Sequence, residues 1–162
     1  MIVGHGDIAS AIDDRVDFLF FASGVSNSRE ERSSEYQREI DLLLKQDKKK
    51  HLVYFSSLCV FYDDSRYAFH KKYMENLVKE KFKNYTIMRL GNITWGTNPH
   101  TLINFFKMQK KYGVALEVQD TYRFIVDKDE FNYWINKIPK WSCEMNVPGR
   151  RMKVIDIVKE YV

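Results

Sequence analysis

The sequence predicts an α/β fold, a doubly wound parallel sheet with a small C-terminal cap. Two observations carry that expectation. Short uninterrupted apolar runs alternate with segments whose apolar residues recur at helical spacing, the pattern of strands buried on both faces and joined by crossover helices. Small and polar residues follow each run: Gly4 to Gly6, Ser23 to Ser26, Ser56 with Ser57, and Gly91 with Asn92. In an open parallel sheet, ligands bind beyond the carboxyl ends of the strands, so these four places converge on one candidate site.

In chain order, Met1 to Val3 is a stub of strand, and Ile8 to Asp13 a short helix. Asp17 to Ala22 is a buried strand. A helix capped by Asn27 or Ser28 runs to about Lys45, with Tyr36, Ile40, Leu43 and Leu44 at helical spacing. Leu52 to Phe55 is a strand, Ser65 or Arg66 to Phe82 a long helix, and Tyr85 to Leu90 a fourth strand. Beyond Gly96 the pattern loosens: a helix over Thr101 to Tyr112, a short strand over Tyr122 to Val126, and a helix over Asp129 to Ile138 capped by Asp129. A strand near Glu144 to Val147 and a helix from Lys153 to Tyr161 end the chain.

A chain of 162 residues fits one domain. Residues 1–96 are expected to form the nucleotide-binding and catalytic core, and 97–162 the cap and substrate-side elements. The net charge of +4 suits a phosphate-bearing ligand. The lysines are dispersed apart from Lys48, Lys49 and Lys50, which read as a solvated helix end, so nucleic acid is not an expected partner. Cys59 and Cys143 make no disulfide framework, and they and the four scattered histidines show no metal-ligand spacing. No apolar run approaches the roughly 20 residues of a membrane span. A soluble, cytoplasmic protein is expected.

Gly4-His5-Gly6-Asp7-Ile8-Ala9 fits the Gly-x-Gly-x-x-Gly/Ala fingerprint between a strand and a helix. Its glycines allow a tight turn and close approach of a pyrophosphate, which the helix N-terminus stabilises. The second strand of such a fold, ending in an acid about 20 residues on, is missing. The chain passes directly to Asp17, with Asp13, Asp14 and Arg15 as the only charged candidates nearby. The fold is therefore a reduced Rossmann-like one, with the adenosine side of the cofactor site diminished or absent.

Tyr67 and Lys71 stand at i and i+4 of a helix, on one face. A phenol titrates near about 10 when unperturbed, and an adjacent ammonium favours the phenolate, which suits proton exchange with a carbonyl or carbinol. Ser57, at the end of the preceding strand, is placed to hydrogen-bond the same oxygen.

Val53-Tyr54-Phe55-Ser56-Ser57-Leu58-Cys59-Val60-Phe61-Tyr62 resembles the strand-end segment of NAD-dependent epimerases and dehydratases, the extended short-chain dehydrogenase/reductase family. Tyr67, Lys71 and Glu75 resemble that family's Tyr-x-x-x-Lys-x-x-x-Glu helix. Arg89-Leu90-Gly91-Asn92-Ile93-Thr94-Trp95-Gly96 is similar to its Arg-x-x-Asn-x-x-Gly segment. Tyr122-Arg123-Phe124-Ile125-Val126-Asp127 and Met145-Asn146-Val147-Pro148-Gly149 are similar to later segments of the family, in order. The departures are the two missing strands, a gap of only ten residues between Ser57 and Tyr67, and Val60-Phe61-Tyr62 in place of Val-Tyr-Gly.

The resemblance implies an NAD(P)-dependent oxidoreductase, epimerase or dehydratase acting on a sugar nucleotide or related carbonyl compound. Ser57, Tyr67 and Lys71 would be catalytic, with Lys71 lowering the Tyr67 pKa and binding nicotinamide ribose. Gly4, His5, Gly6, Asp7, Ile8, Ala22, Ser23, Gly24, Ser56, Tyr67, Lys71, Leu90 and Gly91 would hold NAD or NADP. Ser26, Asn92 and Arg123 would meet the substrate. Relatives pair as homodimers through the helices that correspond to 29–45 and 65–82, where Tyr36, Ile40 and Tyr73 are candidates here. His70 is expected to face away from the site, Trp95 and Trp134 to pack, and Cys59 to be an inert thiol. The alternative is a catalytically degenerate relative that serves as a nucleotide-binding or protein-interaction module.

Overall fold

Four apolar runs and one later strand join into a single parallel sheet. In the computed structural model, which describes residues 1–162, the strands are β1 (Ile2–Val3), β2 (Phe18–Phe21), β3 (His51–Ser57), β4 (Tyr85–Leu90) and β7 (Cys143–Val147), in that spatial order. All neighbours run parallel. Side chains alternate across a strand, and β2 shows the consequence. Phe18 and Phe20 point into one core with Val53, Phe55, Met88 and Val147. Leu19 and Phe21 point into another with Leu52, Tyr54 and Ile87.

Helices α1 (Ser33–Leu44) and α2 (Arg66–Lys81) cover the second core with Leu43, Met74, Leu77 and Val78. Helix α4 (Lys128–Asn136) covers the first with Phe131 and Ile135. Ser65 caps α2 by accepting from the Ala68 N–H, the arrangement expected of an N-terminal serine. A second sheet of β5 (Asn92–Ile93), β6 (Tyr122–Val126) and β8 (Arg150–Lys153) packs with α3 (Leu102–Lys111) and α5 (Val154–Tyr161) around Ile103, Ile125 and Ile157. This is the cap. The period-2 and helical patterns revealed neither β5 nor β8, because each is too short to show alternation.

Four expectations are corrected. The helix expected over Ile8 to Asp13 is a single 3-10 turn, Ala9–Ala11. A return between parallel neighbours needs about a dozen residues or more; residues 4–17 barely supply it, leaving no length for a helix. Helix α1 starts at Ser33, not near Asn27, because Asn27 and Glu30 turn the chain instead. Their carboxamide and carboxylate oxygens accept from the backbone N–H groups of Arg29 and of Glu31 and Arg32. Asp129 does not cap α4. The cap position is Asp127, whose carboxylate accepts from Thr94 and Tyr161 rather than from its own helix. The final strand, β7, also belongs to the main sheet rather than to the cap.

One ionic network, buried at Glu75 and Arg89 and exposed at Glu144, ties α2 to β4 and β7. The Arg89 guanidinium donates to both Glu75 carboxylate oxygens, at 2.8 and 2.5 Å, and to Glu144 at 2.5 Å. Glu75 also accepts from the Ser56 hydroxyl at 2.6 Å. The Phe61 ring lies over the guanidinium, 4.9 Å from its centroid. Removing one partner of such a network leaves a buried charge uncompensated. Arg89→Met is expected to cost about 3–5 kcal/mol in urea denaturation; a loss below about 1 kcal/mol, the level of an exposed pair, would contradict this.

Candidate active site

The carboxyl ends of β1 to β4 open into one cleft of about 1100 Å³. Helix α1 contributes Arg38 to it and α2 contributes Tyr67 and Lys71. The loop before α3 supplies residues 97–101 and α3 itself Leu102, and Arg123 reaches in from β6. Ser57, Tyr67 and Lys71 all line it. So do His5, Gly6, Asp7, Ile8, Ala22, Ser23, Gly24, Ser56, Leu90 and Gly91, along with Ser26, Asn92 and Arg123. Gly4 does not. Its φ is +122°, and a Cβ there would stand 2.4 Å from the Ala22 carbonyl oxygen, so this glycine serves the packing of β1 against β2. Gly6 has no atom within 4 Å of where a Cβ would be and faces open space.

The position of Lys71 is fixed by a residue that the motifs do not contain. Glu39, on α1, is fully buried. Its carboxylate accepts from the Lys71 ammonium at 3.2 Å, the Tyr54 hydroxyl at 2.8 Å, the His70 ring at 2.9 Å and the Val25 N–H at 2.8 Å. Burial alone would push this carboxyl up. The Lys71 charge outweighs it, together with the hydrogen bonds from His70 and Val25, and holds the group well below the usual carboxylate range. Lys71 makes a second bond to the Tyr54 oxygen, at 3.1 Å. It lies directly beneath Gly24, where a Cβ would come within 2.7 Å of its nitrogen. His70, expected to face away, is buried against Glu39 and stacks edge-on against Tyr36.

This arrangement corrects the expected chemistry of Tyr67. The Lys71 nitrogen is 5.7 Å from the Tyr67 ring centroid, and its charge is answered by Glu39. Burial pushes the Tyr67 phenol upward, and the nearby Cys59 and Glu39 add to the shift. The phenol is thus held protonated rather than brought toward neutrality. The Ser57 oxygen accepts the Cys59 N–H at 3.2 Å and caps the 3-10 turn Leu58–Phe61, which leaves its hydroxyl proton free to donate into the cleft. Cys59 is buried, and burial raises its thiol, in keeping with an inert role.

The rim is built from a second clasp. The Asp7 carboxylate accepts from the Thr97 and Asn98 N–H groups at 3.0 and 2.9 Å, and its carbonyl accepts from the Trp95 indole at 3.0 Å. The glycine-rich turn is thereby joined to the loop before α3. Asn92 is held by a bond to the Phe124 carbonyl at 3.1 Å, and Arg38 bonds the Ser23 carbonyl at 3.1 Å. Trp95 and Trp134 pack against the main core as expected. Lys48 is not simply solvated, since its ammonium bonds the carbonyls of Leu43, Leu44 and Gln46 at the end of α1. Tyr36 is buried, with its hydroxyl on the Glu30 carbonyl, so it presents no surface for a partner.

Sequence reasoning missed Glu39, Tyr54, Arg38 and the residues 97–102. Glu39 left one signal. It falls within the apolar stripe of α1, between Tyr36 and Leu43 at helical spacing, and a charge in such a stripe needs a buried partner.

No protein-family model matches the chain, and no curated protein matches it. Solved structures do share its fold. The Bordetella bronchiseptica enzyme WbmH in complex with NAD+ superposes with a TM-score of 0.70 at 13% identity, over 88% of this chain and 56% of that one. dTDP-4-dehydrorhamnose reductase from Bacillus anthracis in complex with NADP gives 0.66 at 18% identity, over 90% and 61%. UDP-glucose 4-epimerase from Thermotoga maritima with UDP-glucose gives 0.64 at 17%, over 88% and 59%. The chain thus has the Rossmann-like α/β fold of these proteins and spans little more than half the length of each. No helix is long and apolar enough to cross a membrane.

A carboxyl held below its unfolded pKa binds its proton more weakly in the folded state. The stabilisation from Glu39 is therefore complete above about pH 4.3 and is lost as pH falls through the lower folded value. Glu39→Gln is expected to cost about 3–5 kcal/mol at pH 7, because the Lys71 charge is left buried and unanswered. The difference from the unsubstituted protein should shrink as urea unfolding is repeated at falling pH. A difference that does not vary with pH would contradict the assignment.

Proposed function

We propose that the chain is a shortened member of the extended short-chain dehydrogenase/reductase family and acts as an NAD(P)-dependent oxidoreductase, epimerase or dehydratase on a sugar nucleotide or related carbonyl compound. The observation that carries this reading is the meeting of Ser57, Tyr67 and Lys71 in one cleft at the sheet's carboxyl edge, on a fold shared with proteins of that chemistry. The cleft end formed by Tyr67, Lys71 and Gly91 fits a nicotinamide ribose. An ammonium has three donors, and Glu39 and Tyr54 occupy two of those on Lys71, which leaves one for a ribose hydroxyl. When bound, the nicotinamide supplies or accepts the hydride.

The residues of the chain govern the proton. Tyr67 lines the cleft beside Ser57 and gives its phenolic proton to a substrate carbonyl oxygen, with the Ser57 hydroxyl donating to the same oxygen. Asn92 and Arg123 stand on the side of the cleft toward β6 and meet the substrate. Pairing of two copies through α1 and α2 would use Phe69 and Tyr73, one turn apart on α2 and more than half exposed, rather than Tyr36.

A second reading, a nucleotide-binding or protein-interaction module without turnover, is favoured by the high Tyr67 pKa and the charge on Lys71 being answered by Glu39. The two separate on one variant. With NADH or NADPH and dTDP-4-dehydrorhamnose or a related 4-keto sugar nucleotide, Tyr67→Phe should slow turnover by about 10²–10⁴-fold, with the dissociation constant of the cofactor unchanged. Equal turnover in the two proteins, or none in either, would count against the catalytic reading.

A further inference from the structure

We infer that the cleft is a half-site. It reads the nicotinamide mononucleotide part of a cofactor and leaves the adenosine part unread, so that the protein does not distinguish NADH, NADPH and reduced nicotinamide mononucleotide. This rests on the cofactor reading above and adds what the ligand must contain.

The lining of the cleft runs from His5, Gly6, Asp7 and Ile8 directly to Phe21, and no residue from 9 to 20 reaches it. β1 pairs only with β2, so no strand continues the sheet beyond it. In a complete dinucleotide fold, that missing region carries the acid for the adenosine ribose and the arginine that takes a 2′-phosphate. The charged residues near that place are used elsewhere or stand away from the cleft. Asp14 pairs with the N-terminal ammonium. Arg15 donates to the Ile135 carbonyl at 3.0 Å and lies 4.3 Å over the Phe18 ring. Asp13 does not line the cleft.

The pyrophosphate position is weakened as well. A single 3-10 turn stands where the helix should be, and without a helix there is no macrodipole. The Asp7 carboxylate is fixed at the same turn by Thr97 and Asn98, and it sets a negative charge beside any second phosphate. At the other end, the groups that a mononucleotide needs are present. Lys71 and Tyr67 flank the ribose position, and Ser23 and Gly24 line the cleft beside them. Arg38, paired with Glu35 at 3.0 Å and bonded to the Ser23 carbonyl at 3.1 Å, lines the mouth and offers its remaining N–H donors to one phosphate.

The test is a fluorescence titration of the purified full chain with NADH, NADPH and reduced nicotinamide mononucleotide in parallel. The three dissociation constants should agree within about threefold, less than 1 kcal/mol apart, and millimolar AMP or 2′,5′-ADP should displace none of them. Arg38→Ala, an exposed change, should weaken all three by a similar factor. A preference of about tenfold or more for either dinucleotide, or displacement by AMP, would overturn the half-site while leaving the cofactor reading intact. Absence of binding by all three would overturn the cofactor reading itself, and the half-site with it.

Discussion

The buried carboxylate of Glu39 is the constraint on which the site depends. A carboxylate and an ammonium taken out of water are costly to bury, and their mutual attraction compensates only when the remaining hydrogen-bonding capacity is also met. Here it is met from three elements. Lys71 and His70 come from α2, Tyr54 from β3 and the Val25 N–H from the segment after β2. Those bonds fix α1 and α2 against the sheet at one level, and that level is the floor of the cleft. The same pair decides the electrostatics above it. The Lys71 charge is answered by Glu39, and burial pushes the Tyr67 phenol upward.

The reduced sheet follows from the short first connection. Because residues 4–17 must bring the chain back beside β1, the expected helix shrinks to one turn, and α4 shares with Ile8, Ala11 and Ile12 the face it would have covered. Phe131 and Ile135 then fill the core beneath Phe18 and Phe20. The glycine-rich turn has lost the helix that would orient it and is held instead by Asp7, across the cleft to the loop before α3. One device thus replaces another: a clasp of carboxylate to backbone N–H groups stands where a helix normally positions the turn.

Much of this was legible in the sequence. The strands β2, β3, β4 and β6 are built on apolar and β-branched runs, interrupted only by Arg89 in β4 and Arg123 in β6 and flanked by His51 and two serines in β3, and they emerge within a few residues of their expected bounds. Helix α2 announces itself through Ser65 and its apolar spacing. The converging strand ends placed Ser57, Tyr67 and Lys71 together. What was not legible depends on tertiary partners. Glu39 is one acid among many until α2 delivers Lys71 and His70 to it, and i, i+4 spacing cannot tell whether a lysine serves its tyrosine or another group. The two-residue strand β5 and the four-residue β8 exist only because β6 lies between them, and α1 lost its first turns to side-chain bonds from Asn27 and Glu30.

The central claim is that Lys71 is a fixed post, bonded below to Glu39 and Tyr54 and offering one remaining donor to a ligand above. A crystal structure of the full chain with NADH tests it directly. The expected result keeps both bonds of Lys71 and places a ribose hydroxyl on its third donor, with the nicotinamide beside Tyr67. A ligand bound away from Lys71, or a Lys71 drawn off Glu39 to reach it, would contradict the account.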